Sequence, residues 1–140
     1  MTDGSARLRT TAELFIDLAD RPEDLASLML GIVFGQPWLD ALSAEQFARL
    51  REQLTSPQPD GFRQQFRLVA RADVRAELAA VTVPTLVVST AQDMLVQPSQ
   101  HRLAAELVPG ARLVQLPSGH LPMVEALPEL RDVMLDFLKS

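Results

Sequence analysis

Apolar positions along the chain follow two different periods. Up to about residue 80 they recur at helical intervals. Leu14, Phe15 and Leu18 follow Thr10-Thr11-Ala12-Glu13, which has the spacing of a capping box, where a hydroxyl and a carboxylate three residues on satisfy each other's backbone N–H. Asp20-Arg21-Pro22-Glu23 predicts a second helix start, with Asp20 at the N-cap and Pro22 where a missing N–H costs nothing. Leu25, Leu28, Met29, Ile32 and Val33 then form a wide apolar stripe. Ser43-Ala44-Glu45-Gln46 is another capping box, ahead of Phe47, Leu50 and Leu54. Thr55 to Gly61 is a loop by its Pro and Gly content, after which a helix resumes to about Ala70. Asp73 caps a short turn that ends near Ala80.

Beyond that point the pattern changes. Val83-Pro84-Thr85-Leu86-Val87-Val88-Ser89 is a short, nearly continuous apolar run with β-branched residues, typical of a strand buried on both faces of a parallel sheet. Pro98 to Val108 predicts a helix with Leu103, Ala104 and Leu107 on one side, stopped by Pro109-Gly110. Ala111 to Leu116 predicts a second strand and Pro117-Ser118-Gly119-His120 a loop. A last helix covers about Pro128 to Leu138, with Leu130, Met134, Leu135 and Leu138 facing inward. Strand, helix, strand in this order implies a right-handed parallel crossover, so the fold class is α/β with a helical region over 1–80 and a β-α-β-α unit over 81–140.

Two polar residues stand where chemistry gathers in such sheets, beyond the carboxyl ends of the strands. Asp93 lies four residues past Ser89, and His120 four past Leu116. Neighbouring parallel strands would set the two loops side by side. An aspartate within reach of a histidine orients the imidazole, fixes its tautomer and stabilises the imidazolium formed on proton transfer. The alternatives are a turn aspartate ahead of the helix at Pro98 and a loop histidine bonded to local backbone.

The order Val83-Pro84-Thr85-Leu86-Val87-Val88, Asp93, helix, Pro109-Gly110-Ala111, strand, Gly119-His120, Glu125 to Pro128 resembles the C-terminal end of the α/β-hydrolase fold. In that family the triad runs nucleophile, acid, histidine along the chain. The resemblance puts Asp93 at the acid position and His120 at the histidine position, and makes residues 1–80 similar to the family's cap, or lid. Thr90 stands where the acid loop usually has glycine, a less permissive backbone at that turn. A larger departure is that the chain contains no Gly-x-Ser-x-Gly and no Gly-rich loop for an oxyanion hole. Ser89 and Ser118 do not lie on a strand-to-helix elbow. By the resemblance, the nucleophile and six strands are missing.

Composition narrows the partners. The 140 residues include no cysteine, so disulfides and thiolate metal sites are excluded. Two histidines 19 residues apart make a poor metal site, and no motif for an organic cofactor occurs. Acidic groups outnumber basic ones 18 to 13, against nucleic-acid binding. Nothing after Met1-Thr2-Asp3-Gly4-Ser5 has the apolar core of a signal peptide. The Leu28–Phe34 run is far short of the ~20 residues needed to span a bilayer. The expectation is a cytoplasmic protein that does not enter membranes.

Other residues have specific expectations. Phe34 and Trp38, beside Gly35 and Pro37, are candidates for lining an apolar substrate cleft, with ordinary packing as the alternative. His101 is expected at the surface, and Glu125 as a helix-start or loop hydrogen-bonder. Met29, Met123 and Met134 are expected to fill the core. Arg63, Arg67, Arg71 and Arg75 are expected to form a solvated helix face. The 83–89 strand expects a neighbour on each edge, and an open edge is a template for another chain. Two roles follow: the acid-and-histidine part of an esterase-like hydrolase of small apolar acyl substrates, with the nucleophile supplied by a separate chain or by a longer protein of which this is a part, or a non-catalytic remnant that dimerises through that edge.

Overall fold

Helix α1 (Ala6–Leu18) buries Leu8, Ala12, Phe15 and Leu18, spaced to share one face. A computed structural model describes residues 6–140; the reading of Met1 to Ser5 lies outside the described residues. Helix α1 begins ahead of the Thr10 capping-box spacing, so that box is not a helix start. Thr10 Oγ1 instead donates to the Ala6 carbonyl at 2.9 Å, the i−4 back-bond open to a threonine within a helix. Helix α2 (Pro22–Ile32) has Arg21, not Asp20, at its N-cap, and no side chain caps it. Asp20 is drawn away to pair with Arg63, while Glu23 and Asp24 in the first turn complement the helix dipole.

A short helix α3 (Gln36–Asp40) follows, and α4 (Ala44–Leu54) opens on the expected capping box. There Gln46 N donates to Ser43 Oγ at 3.2 Å and Ser43 N to Gln46 Oε1 at 2.8 Å. Gly61, at φ 91°, turns the chain into α5 (Phe62–Arg71), a left-handed conformation that glycine adopts without penalty. Helix α6 (Arg75–Ala79) completes the helical region. Phe15, Leu18, Leu25, Leu30, Val33 and Phe34 form the main core cluster. Phe66 stacks on Phe15 at 4.4 Å between ring centroids, fixing α5 against α1. The arginine stripe is only partly solvated: Arg63 also reaches the Ile16 carbonyl at 3.4 Å, because α5 packs on α1 along that side.

Strand β1 (Leu86–Thr90) pairs in parallel with β2 (Arg112–Leu116) across α7 (Pro98–Leu107). The register runs from Leu86 opposite Arg112 to Thr90 opposite Leu116. Strand β1 starts three residues later than its apolar pattern, since Pro84 has no N–H for a ladder and Val83 is 65% exposed. After a four-residue helix α8 (Pro122–Glu125), α9 (Leu127–Lys139) returns along the sheet. Arg112 of β2 reaches Asp136 of α9 at 2.7 Å.

Among the described residues the sheet has these two strands alone, leaving the other edge of β1 unpaired. An apolar groove of about 290 Å³ lies between one face of β1, at Leu86 and Val88, and Met134, Phe137 and Leu138 of α9. The expectation that Met123 and Met134 fill a core is therefore corrected: they are 53% and 48% exposed. The inward stripe expected on α9 is likewise open at Leu135 and Leu138. These side chains lie on surfaces that no described element covers.

Candidate functional site

The Asp93 side chain is buried and used on both oxygens. As β1 ends at Thr90, the chain turns through Ala91 and Gln92 and places Asp93 beneath its own loop. Oδ1 accepts from Leu95 N at 2.9 Å and Val96 N at 2.8 Å, the local bonding by which aspartate closes a turn. Oδ2 accepts from Thr90 Oγ1 at 3.1 Å. Thr90, in place of the usual glycine, thus contributes a hydroxyl to the turn, and no described non-glycine residue has positive φ.

The two strand-end loops are joined by backbone bonds, Ala91 N to the Leu116 carbonyl and Gln92 N to the Ser118 carbonyl, both 2.9 Å. That registration brings His120 Nδ1 to 2.9 Å from Asp93 Oδ2. The Asp93 side chain is 1% exposed and the His120 side chain 35%. Facing an ionised carboxylate, Nδ1 carries the ring proton, which leaves Nε2 with its lone pair to accept one. The arrangement can therefore hold a histidine as a general base. Neither nearby serine stands in for a nucleophile: Ser118 Oγ is buried and donates to the Gly119 carbonyl at 3.2 Å, and Ser89 Oγ is buried without a partner.

Expected at the surface, His101 is instead only 18% exposed in its side chain, with Nε2 at 3.9 Å from the same Asp93 oxygen. The signal in the sequence is positional. Residue 101 is the fourth of α7, whose entry is the acid loop, and helix side chains lean toward the N-terminus. Burial pushes the His101 imidazole below its ordinary value, an effect that Asp93 opposes and the charges of His120 and Arg102 reinforce. An unfolded chain binds this proton first as pH falls, so stability is full above about pH 6.5 and is lost as pH drops through the lowered folded value. The expected result is a urea midpoint that falls between pH 7.5 and 5.5, with a visibly smaller fall in His101→Gln. Equal falls in both chains would remove His101 as the cause.

Phe34 is 6% exposed within the core cluster. Trp38 is half-buried and stacks on it, with ring centroids 5.4 Å apart and planes 14° from parallel. The corner between α2 and α3 that carries this pair abuts the histidine loop, with His120 N donating to the Val33 carbonyl at 2.6 Å. A cavity of about 510 Å³ lies elsewhere, between the α1–α2 turn and the 55–64 segment, and is lined by none of Phe34, Trp38, Asp93 or His120. Among the described residues no group of three or more histidine, aspartate or glutamate side chains could hold a metal. Nor is any described helix long and apolar enough to cross a membrane.

No family model matches the chain. Over 85 residues it is 34% identical to the RutD carbamate hydrolase of Pseudomonas savastanoi pv. phaseolicola, covering 60% of this chain and 33% of that protein. It matches the structure of a hydrolase from Pseudomonas aeruginosa with a TM-score of 0.78 and 30% identity, covering 94% of this chain and 51% of that one. It matches the enol-lactonase of Burkholderia xenovorans with a TM-score of 0.77 and 25% identity, covering 89% of this chain and 48% of that one. The chain thus spans about a third of that curated relative and about half of the two solved structures.

Proposed function

Because the chain has the fold of the C-terminal part of an α/β-hydrolase, we propose that it is the acid-and-histidine part of a hydrolase of ester or related acyl bonds, completed by a nucleophile half that lies outside these 140 residues. The observation that carries this is the buried Asp93 carboxylate 2.9 Å from His120 Nδ1 at the ends of two paired parallel strands. In the completed site His120 Nε2 takes the proton of a serine supplied by the nucleophile half as that serine attacks the acyl carbon. His120 then returns the proton to the leaving group, and water, activated the same way, releases the acid. Backbone donors for the oxyanion come from the nucleophile half. The helical region up to residue 80 acts as the lid, and Phe34 and Trp38 form an apolar wall beside the histidine loop.

The open edge of β1 and its groove beside α9 support a partner that continues the sheet. They also favour a second reading, in which two copies pair edge to edge as a non-catalytic dimer. A p-nitrophenyl butyrate assay separates the two. The purified chain alone is expected to show no turnover above background, since the nucleophile and oxyanion donors supply nearly all the rate. Co-purified with the nucleophile-bearing N-terminal half of a homologous hydrolase, it is expected to hydrolyse the ester, and His120→Ala should abolish that activity. Turnover by the chain alone that His120→Ala removes would overturn the need for a nucleophile half. Sedimentation as a dimer with no gain on mixing would select the second reading.

A further inference from the structure

We propose that Glu125 is a positioning residue for His120, clamping the histidine loop to the corner between α2 and α3; the inference rests on reading Asp93 and His120 as a working pair. One oxygen of Glu125, Oε2, accepts from Gly119 N at 2.8 Å and from Gly35 N at 2.9 Å. Its other oxygen, Oε1, is buried with no hydrogen-bond partner. A desolvated carboxylate oxygen is costly, so this placement is poorly explained by stability alone and is consistent with a positional role.

The clamp completes the fixing of His120. The Val33 carbonyl holds its backbone N–H at 2.6 Å, Asp93 holds Nδ1 of its ring, and Glu125 holds the amide of the residue before it. Without that carboxylate, Gly119 N and Gly35 N each lose an acceptor at the point where the two backbones press together. The same carboxylate joins the Phe34–Trp38 corner to the histidine, so a displacement of that aromatic pair is passed to the imidazole through two hydrogen bonds. Glu125 ends α8, which starts two residues after His120, so the anchor is local on one side and long-range on the other.

The test reads the His120 ring in the full 140-residue chain by nitrogen-15 NMR. The wild-type chain is expected to show a single tautomer with a slowly exchanging Nδ1–H. In Glu125→Ala that exchange is expected to rise about tenfold or more through local opening, with far-UV circular dichroism unchanged. Glu125→Gln keeps an oxygen able to accept from both amides and is expected to return the exchange to within about twofold of wild type. If Glu125→Ala does not fold, Glu125→Asp decides, because its shorter carboxylate is expected to release the Nδ1–H in the same way. Wild-type exchange in the folded Ala or Asp variant, or a Gln variant as defective as Ala, overturns the inference alone. Absence of the Nδ1-bound proton from the wild-type chain removes the Asp93–His120 pair, and the inference with it.

Discussion

Replacing Gly119 with alanine is expected to destabilise the chain by about 3 kcal/mol, at the upper end of the cost of overpacking a tight interior. A Cβ at this position would fall 2.4 Å from Gly35 N, 2.5 Å from the Val33 carbonyl oxygen and 2.7 Å from Phe34 C. All three are backbone atoms, so no rotamer change relieves the overlap. The loop must move off the α2–α3 corner, which breaks the His120–Val33 bond and both Glu125 bonds. Backbone conformation is not the cause, since the only positive-φ glycines among the described residues are Gly61 and Gly110. Gly31→Ala is the control of opposite sign. Gly31 lies inside α2 with nothing within 4 Å of the added methyl, and alanine is expected to stabilise the helix by roughly 0.5–1 kcal/mol. Urea unfolding of the two variants measures both effects. A Gly119→Ala chain within about 0.5 kcal/mol of wild type, the range of an ordinary surface substitution, would show that this approach is not tight.

The Asp93–His120 pair is legible in the sequence because Asp93 stands four positions past the apolar run ending at Ser89 and His120 four past Leu116, and the strands that form there pair in parallel, with Thr90 opposite Leu116. A nearly continuous apolar run, a second short strand and a parallel crossover are enough to bring the loops together. Other features depend on contacts that no local period records. Thr10 and Ser43 begin equally good capping boxes, yet only Ser43 has a helix start to cap, since the run from Ala6 already satisfies Thr10 within α1. Asp20 stands at an N-cap position in the sequence, but Arg63, 43 residues away, takes it. His101 fits a surface position on the helical pattern, yet its ring is half-buried with Nε2 3.9 Å from Asp93 Oδ2. The apolar stripes behind Met123 and Met134 report that a face is built to be covered; they do not say by what. The sequence marks Glu125 as a helix-start or loop hydrogen-bonder, but its link to Gly35 spans 90 residues, beyond any spacing rule.

Asp93→Ala is expected to cost roughly 4 kcal/mol, the range in which disruption of a buried charged hydrogen-bond network becomes diagnostic. The variant leaves the Leu95 and Val96 amides, the Thr90 hydroxyl and His120 Nδ1 without their common acceptor. Relief of the carboxylate's own desolvation offsets only part of this. Asp93→Asn separates structure from chemistry. Its amide oxygen can keep the Leu95 and Val96 bonds in the Oδ1 position, and the Thr90 hydroxyl can rotate to accept from the new NH2, so about 1–2 kcal/mol is the expected loss. The NH2 also faces His120 Nδ1, which must then accept. The ring proton moves to Nε2, and the lone pair that would take a serine proton is gone. In the enzyme completed by a nucleophile half, Asp93→Asn is therefore expected to lower kcat by about four orders of magnitude, the scale seen when a triad histidine is held in the wrong tautomer. Nitrogen-15 NMR of the variant should find the His120 proton on Nε2. Loss of the Asp93 charge also removes the influence that raises the His101 imidazole, so His101 should titrate at still lower pH than in wild type. An Asn variant that keeps its rate within tenfold, or that proves less stable than Asp93→Ala, would mean that this carboxylate supports the loop without directing the histidine.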